Sequence, residues 1–138
     1  MTGRRFDPEN DFAPMPFDDR ICLRALEMKE KGLLWRPHVG CFVWDPDEII
    51  KPASPFPGRI YFILSLARFI DIFGSIDQIA SKLVWLPTWH QARLVYQQVA
   101  GSDAPMNRRW PKDNPFSDVE ELLGIYGLII EALKEKDQ

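Results

Sequence analysis

The chain is 138 residues long, 46% apolar and 27% charged, with a formal charge of −3, the profile of one ordinary globular domain rather than a fibre, a collagen-like repeat or a disordered tail. The slight excess of acid over base offers no basic face to phosphate backbones, so nucleic acid is not an expected partner. Two cysteines, Cys22 and Cys41, and an N-terminus where Arg4, Arg5 and Asp7 interrupt any apolar run predict free thiols in a reducing cytoplasm rather than a secreted, disulfide-stapled domain.

Residues 1–17 carry Pro8, Pro14 and Pro16 with Phe6, Phe12 and Phe17. Prolines at that spacing forbid a helix, so an extended N-terminal arm is expected, lying over its own domain or fraying, or else docking its rings on a second copy or a protein partner. Residues 18–138 read as a single helical domain, without internal repeat or compositional break. Its first helix takes Asp18 or Asp19 as N-cap and stops at Gly32, with Ile21, Cys22, Ala25, Leu26 and Met28 on one side and Arg24, Glu27 and Lys31 on the other. Pro37, Gly40, Pro46, Pro52, Pro55 and Pro57 then punctuate a proline-rich extended excursion over 33–57. Within it only 39–44 has strand character, with nothing obvious to pair with.

Residues 58–73 are nearly apolar all round except for Tyr61, Ser65 and Arg68 at helical spacing, with Asp71 beyond; this predicts one central helix covered on most sides. The run is shorter than the roughly 20 uncharged residues of a membrane span, so no membrane is expected. Gly74 ends this helix, and Ser75 with Gln78 opens a short one that turns Ile76, Ile79, Ala80 and Leu83 inward. After Pro87, Thr88 with Gln91 makes a second capping box for a helix to about Val99, burying Trp89, Ala92, Val95, Tyr96 and Val99 and exposing His90, Arg93 and Gln97. A long loop over 100–116 holds Arg108, Arg109, Trp110 and Lys112, a mixture known from nucleic-acid contacts but short and set beside an acidic helix. Ser117 with Glu120 opens the last helix, whose inner face is Val119, Leu122, Leu123, Tyr126, Ile129, Ile130 and Leu133. Gly124, Gly127 and Leu128 stand on its outer face among Glu120 and Glu131, where each glycine costs about 1 kcal/mol relative to alanine.

Chemistry is sparse. His38 and Cys41 with Cys22 and His90 would complete a tetrahedral zinc set, but such sites come as tight ligand pairs, and Cys22 falls on a core face while His90 falls on a polar one. Cys41 with His38 or His90 and Asp45 would make a thiol triad, yet Cys41 lies among Val39, Phe42, Val43 and Trp44, where a thiol behaves as a small hydrophobe. There is no glycine-rich phosphate loop, no G-x-S-x-G and no H-E-x-x-H. Glu120, Glu121, Glu131 and Glu135 form a solvated face, and the P-x-x-P spacing after Lys51 reads as a rigid linker. No metal, cofactor or catalytic residue is assigned. Arg68 must either reach solvent or be paired, and Asp71 is its natural partner.

The expected architecture is mainly α: about five helices in a compact orthogonal bundle around a central apolar helix at 58–73, or alternatively α+β with a short strand at 39–44. The leaning is away from an enzyme and toward an interaction or assembly protein of the cytoplasm that forms a homo-oligomer. Its interface would draw on Phe6, Phe12, Phe17, Gly124, Gly127 and Leu128. The alternative is a pocket for an anionic ligand, in a binding protein or an enzyme, lined by Tyr61, Arg68, Asp71, Trp85, Trp89, His90 and Arg93.

Overall fold

The structure, a computed structural model, describes residues 17–54, 56–101 and 118–136. In chain order its elements are α1 (Asp19–Glu30), β1 (Phe42–Trp44), β2 (Ile60–Phe62), α2 (Leu66–Phe73), α3 (Ile76–Lys82), β3 (Val84–Leu86), α4 (Trp89–Ala100) and α5 (Asp118–Lys136). The strands form one antiparallel sheet in the order β2-β1-β3. Phe42 stands opposite Phe62 and Leu86, Val43 opposite Tyr61 and Trp85, and Trp44 opposite Ile60 and Val84.

Because successive strand residues face opposite ways, the sheet separates two cores. Ile60, Val84 and Leu86 join the larger one with Ile21, Cys22, Ala25 and Met28 of α1, Ala92, Val95 and Tyr96 of α4, and the inner face of α5. Val43 and Tyr61 join the smaller one with Cys41, Ile50, Ile63 and Leu83, Phe69 of α2 and Ile79 of α3. Two helical layers thus cover the sheet, and Trp85 packs against both cores. The helical content expected from the sequence is present in five helices among the described residues, and the sheet gives the fold its α+β character.

The single central helix expected over 58–73 is corrected. The chain passes Gly58 and Arg59 at φ 76° and 65°, pairs 60–62 with β1, and begins α2 only after Ser65, whose hydroxyl accepts from the Arg68 N–H at 3.4 Å. A strand buried on both faces carries apolar residues without alternation, and over so short a run that pattern is indistinguishable from a buried helix. The strand foreseen near 39–44 exists as β1 and has two partners, both lying in segments the sequence assigned to helix or to a helix end.

The helix boundaries follow the capping chemistry. Asp18 accepts from the Ile21 N–H at 3.1 Å, Ser75 from the Gln78 N–H at 3.2 Å, and Gln91 Oε1 from the Thr88 N–H at 3.0 Å. Burial alone would raise the Asp18 pKa, but the hydrogen bonds from Ile21 and Arg20 bring it below the ordinary value. Ser117 and the loop over 102–117 lie outside the described residues. Phe17 is buried and meets the Phe42 ring at 5.1 Å; it belongs to the larger core and not to a projecting arm. Among the described residues no helix is long and apolar enough to cross a membrane.

Candidate functional site

A ridged surface feature begins where α1 stops. Lys31 is the C-cap, Gly32 follows at φ 98°, its N–H donates to Lys29 O at 3.0 Å, and the Leu33 N–H donates to Met28 O at 3.0 Å. This is the Schellman arrangement, which needs a left-handed residue and therefore favours glycine. It turns residues 33–38 across the end of α1 as a ridge with a hollow on each side. The larger hollow, about 500 Å³, is bounded by Leu33, Trp35, Arg36 and His38 of the ridge, Trp85 of β3, Val95, Gln98 and Val99 of α4, and Leu133 of α5. The smaller, about 330 Å³, lies toward α3 and is bounded by Lys29, Leu33, Trp35, Asp77, Ala80 and Ser81. Leu34 borders both and is 91% exposed.

Trp35 and Trp85 stack with ring centroids 6.0 Å apart and planes 9° from parallel. Their indole Nε1 atoms are buried without a hydrogen-bond partner among the described residues. His38 Nδ1 donates to Arg36 O at 2.9 Å; since a carbonyl only accepts, Nε2 is the ring nitrogen left for an outside partner. Arg36 has no ion-pair partner among the described residues. The hollow thus combines apolar walls with a cationic edge.

The residues singled out from the sequence are dispersed. Tyr61 faces the smaller core, its hydroxyl donating to Pro52 O at 2.8 Å and its ring lying 5.6 Å beneath the Arg59 guanidinium. Arg68 and Asp71 are exposed on α2 and make no ion pair with each other, so the expected mutual pairing is corrected. They border a shallow hollow of about 330 Å³ with Ile49, Lys51, Pro52 and Ile72. Trp85 lines the larger hollow instead, Trp89 packs on the larger core, and His90 is exposed. Arg93 donates to Glu121 Oε1 at 2.6 Å, tying α4 to α5. Of the residues expected at an interface, Phe17 is buried and Leu128, expected on the outer face of its helix, is half-buried against the larger core. Gly124 is half-buried, and a Cβ on Gly127 would meet nothing within 4 Å. Phe6 and Phe12 lie outside the described residues.

Asp45, weighed from the sequence only as the acid of a thiol triad, has a structural role that sequence reasoning did not foresee. Its carboxylate, fully buried, accepts from the N–H groups of Ile49 at 3.1 Å and Ile50 at 2.8 Å and from Arg59 Nη2 at 2.6 Å. Arg59 also donates to Ile50 O at 2.9 Å, and the Ser54 hydroxyl donates to Ile60 O. The proline-rich excursion is held from within by this network. An Asp-Pro pair at the end of a strand is the signal for such a turn. Trp35 and Arg36 of the ridge were missed, and His38 was weighed only as a zinc ligand or triad base, although a Leu-Leu-Trp run straight after a helix-stopping glycine marks apolar groups placed where no helix carries them inward.

Burial pushes the Cys22 thiol up to about 12, reinforced by Asp19 and Asp18. Burial raises Cys41 as well, and its Sγ donates to His38 O at 3.0 Å. Both thiols are therefore protonated near neutral pH, the wrong state for a nucleophile or a metal ligand. Among the described residues no group of three or more His, Cys, Asp or Glu is placed to hold a metal ion. Comparison with protein-family models, with curated proteins and with solved structures finds no match to this chain.

Proposed function

We propose that the chain is a non-enzymatic interaction protein of the cytoplasm that self-associates, with the ridge at 33–38 as its binding surface. The observation that carries this reading is Leu34, which is 91% exposed between two hollows. A two-fold pair places Leu34 of each copy in the smaller hollow of the other, beside Ala80, and such self-complementary contacts are how dimers close. Burying a leucine side chain is worth roughly 1.5–3 kcal/mol, and each copy contributes one. Light scattering at micromolar concentration should give a dimeric mass for the native chain and a monomeric mass for Leu34→Asp. A monomeric native chain, or a Leu34→Asp variant that dimerises as well as the native one, refutes the reading.

A second reading is favoured by one further observation. Lys51 and Arg68 border the same shallow hollow together with the single carboxylate of Asp71, and two cations at one concavity suit a small anionic ligand. Arg68→Ala should then abolish a stabilisation by such an anion that the native chain displays in thermal melting. A native chain that no anion stabilises disposes of it.

A further inference from the structure

Resting on the self-association just proposed, we infer that the larger hollow receives residues 6–12 of the second copy. Among the described residues, Arg36 and His38 are the titratable side chains along that hollow, and no carboxylate borders it. That is a local reversal in a chain whose formal charge is −3. Residues 6–12 read Phe-Asp-Pro-Glu-Asn-Asp-Phe: three carboxylates and no cation, with an aromatic ring at each end. The basic pair Arg4 and Arg5 falls outside this stretch. The two compositions are complementary: the acids meet the Arg36 and His38 edge, and a phenylalanine ring lies against Leu33, Val99 and the Trp35–Trp85 stack. Aromatic rings packed on an aromatic wall add stability beyond their buried area.

Length permits the contact. Phe17 is fixed in the larger core at the start of α1, and the 12 residues of α1 carry the chain about 18 Å to the ridge at 1.5 Å per residue. The stretch from Phe6 to Phe17 spans up to roughly 36 Å when extended. The arm is thus about twice as long as the path from Phe17 to the ridge, which leaves length to cross to a neighbour paired through Leu34.

A charge-swap experiment on the full chain tests this. One variant reverses the hollow (Arg36→Glu with His38→Glu) and the other reverses the arm (Asp7→Lys, Glu9→Lys and Asp11→Lys). Each alone should dimerise with a dissociation constant at least tenfold above the native value. Mixed in equal amounts they should form heterodimers, because each arm then meets a hollow of opposite charge. Phe6→Ser with Phe12→Ser, a separate variant without charge change, should weaken dimerisation in the same way. If both charge variants dimerise like the native chain while Leu34→Asp does not, the occupancy inferred here is wrong and the self-association stands. If each variant is monomeric and the mixture remains so, exchange between copies is refuted. A monomeric native chain overturns both.

Discussion

Asp45 offers the sharpest test of how the fold is held. Its carboxylate is fully buried and takes three hydrogen bonds, from the Ile49 N–H, the Ile50 N–H and the Arg59 guanidinium. In Asp45→Ala the two backbone donors lose their acceptor, at about 1–3 kcal/mol each where water does not reach them. Ile50 is buried in the smaller core and Ile49 only half-buried, so the first sits at the upper end of that range and the second at the lower. The Arg59 guanidinium left behind is about a third exposed and reaches water, so the two stranded backbone donors make up the total of about 3–5 kcal/mol. That is at least about a fifth of a typical domain stability of roughly 5–15 kcal/mol. Urea unfolding followed by tryptophan fluorescence should show the midpoint falling with the slope unchanged. Asp45→Asn keeps one acceptor oxygen and loses the charge, and should fall between the two. In a cycle with Arg59→Met, the double variant should lose less than the sum of the single losses. An Asp45→Ala variant within about 1 kcal/mol of the native chain would mean that the carboxylate contributes no more than an exposed ion pair.

The remaining expectations are simpler. Tyr126 is fully buried, its hydroxyl donates to Pro87 O at 2.6 Å, and burial pushes its pKa well up. Tyr126→Phe strands that carbonyl and should cost about 1–2 kcal/mol by denaturant unfolding; no loss would mean that the carbonyl finds water. The folded Cys22 thiol keeps its proton to higher pH than the ordinary 9.0, up to about 12. Its share of stability is therefore whole below the unfolded value and lost as pH climbs from there toward the folded one. Thiolate absorbance of the native protein should stay low above pH 9 and appear on unfolding, whereas native titration at the ordinary value would contradict the burial.

Helix ends were legible because capping is local: Asp18, Ser75 and Thr88 each sit three residues before the group that answers them, and no distant contact is needed to see it. Strand pairing is not local. β1 acquires its meaning from Ile60 and Val84, which are distant in sequence and embedded in apolar runs. The run at 58–73 also broke a second regularity, since Arg59 adopts φ 65°, a conformation that a bulky side chain reaches only when its surroundings enforce it. Here the guanidinium is drawn to Asp45 and Ile50 O. The sequence names both residues but not that they meet. The dispersal of the expected pocket has the same origin, because Tyr61 and Arg68 share a face only if 58–73 is one helix.

The ridge proposed above as a binding surface is fixed at both ends by bonds within the chain. At its start the Schellman turn anchors Gly32 and Leu33 to α1. At its far end the Gly40 N–H donates to Ile63 O at 2.8 Å, Cys41 Sγ holds His38 O, and Pro37 is buried. Lys29 adds a crosslink behind it, its Nζ donating to Ser81 O at 2.5 Å and Leu83 O at 3.2 Å, the carbonyls that end α3. Burial lowers the pKa of that ammonium, a cost accepted where the charge complements the carbonyl end of a helix. Trp85 completes the frame, packing against both cores while its ring forms a wall of the larger hollow. A surface held this firmly loses little conformational entropy when it is covered, so apolar burial at Leu34 converts to affinity with a smaller ordering cost than a floppy loop of equal area would incur.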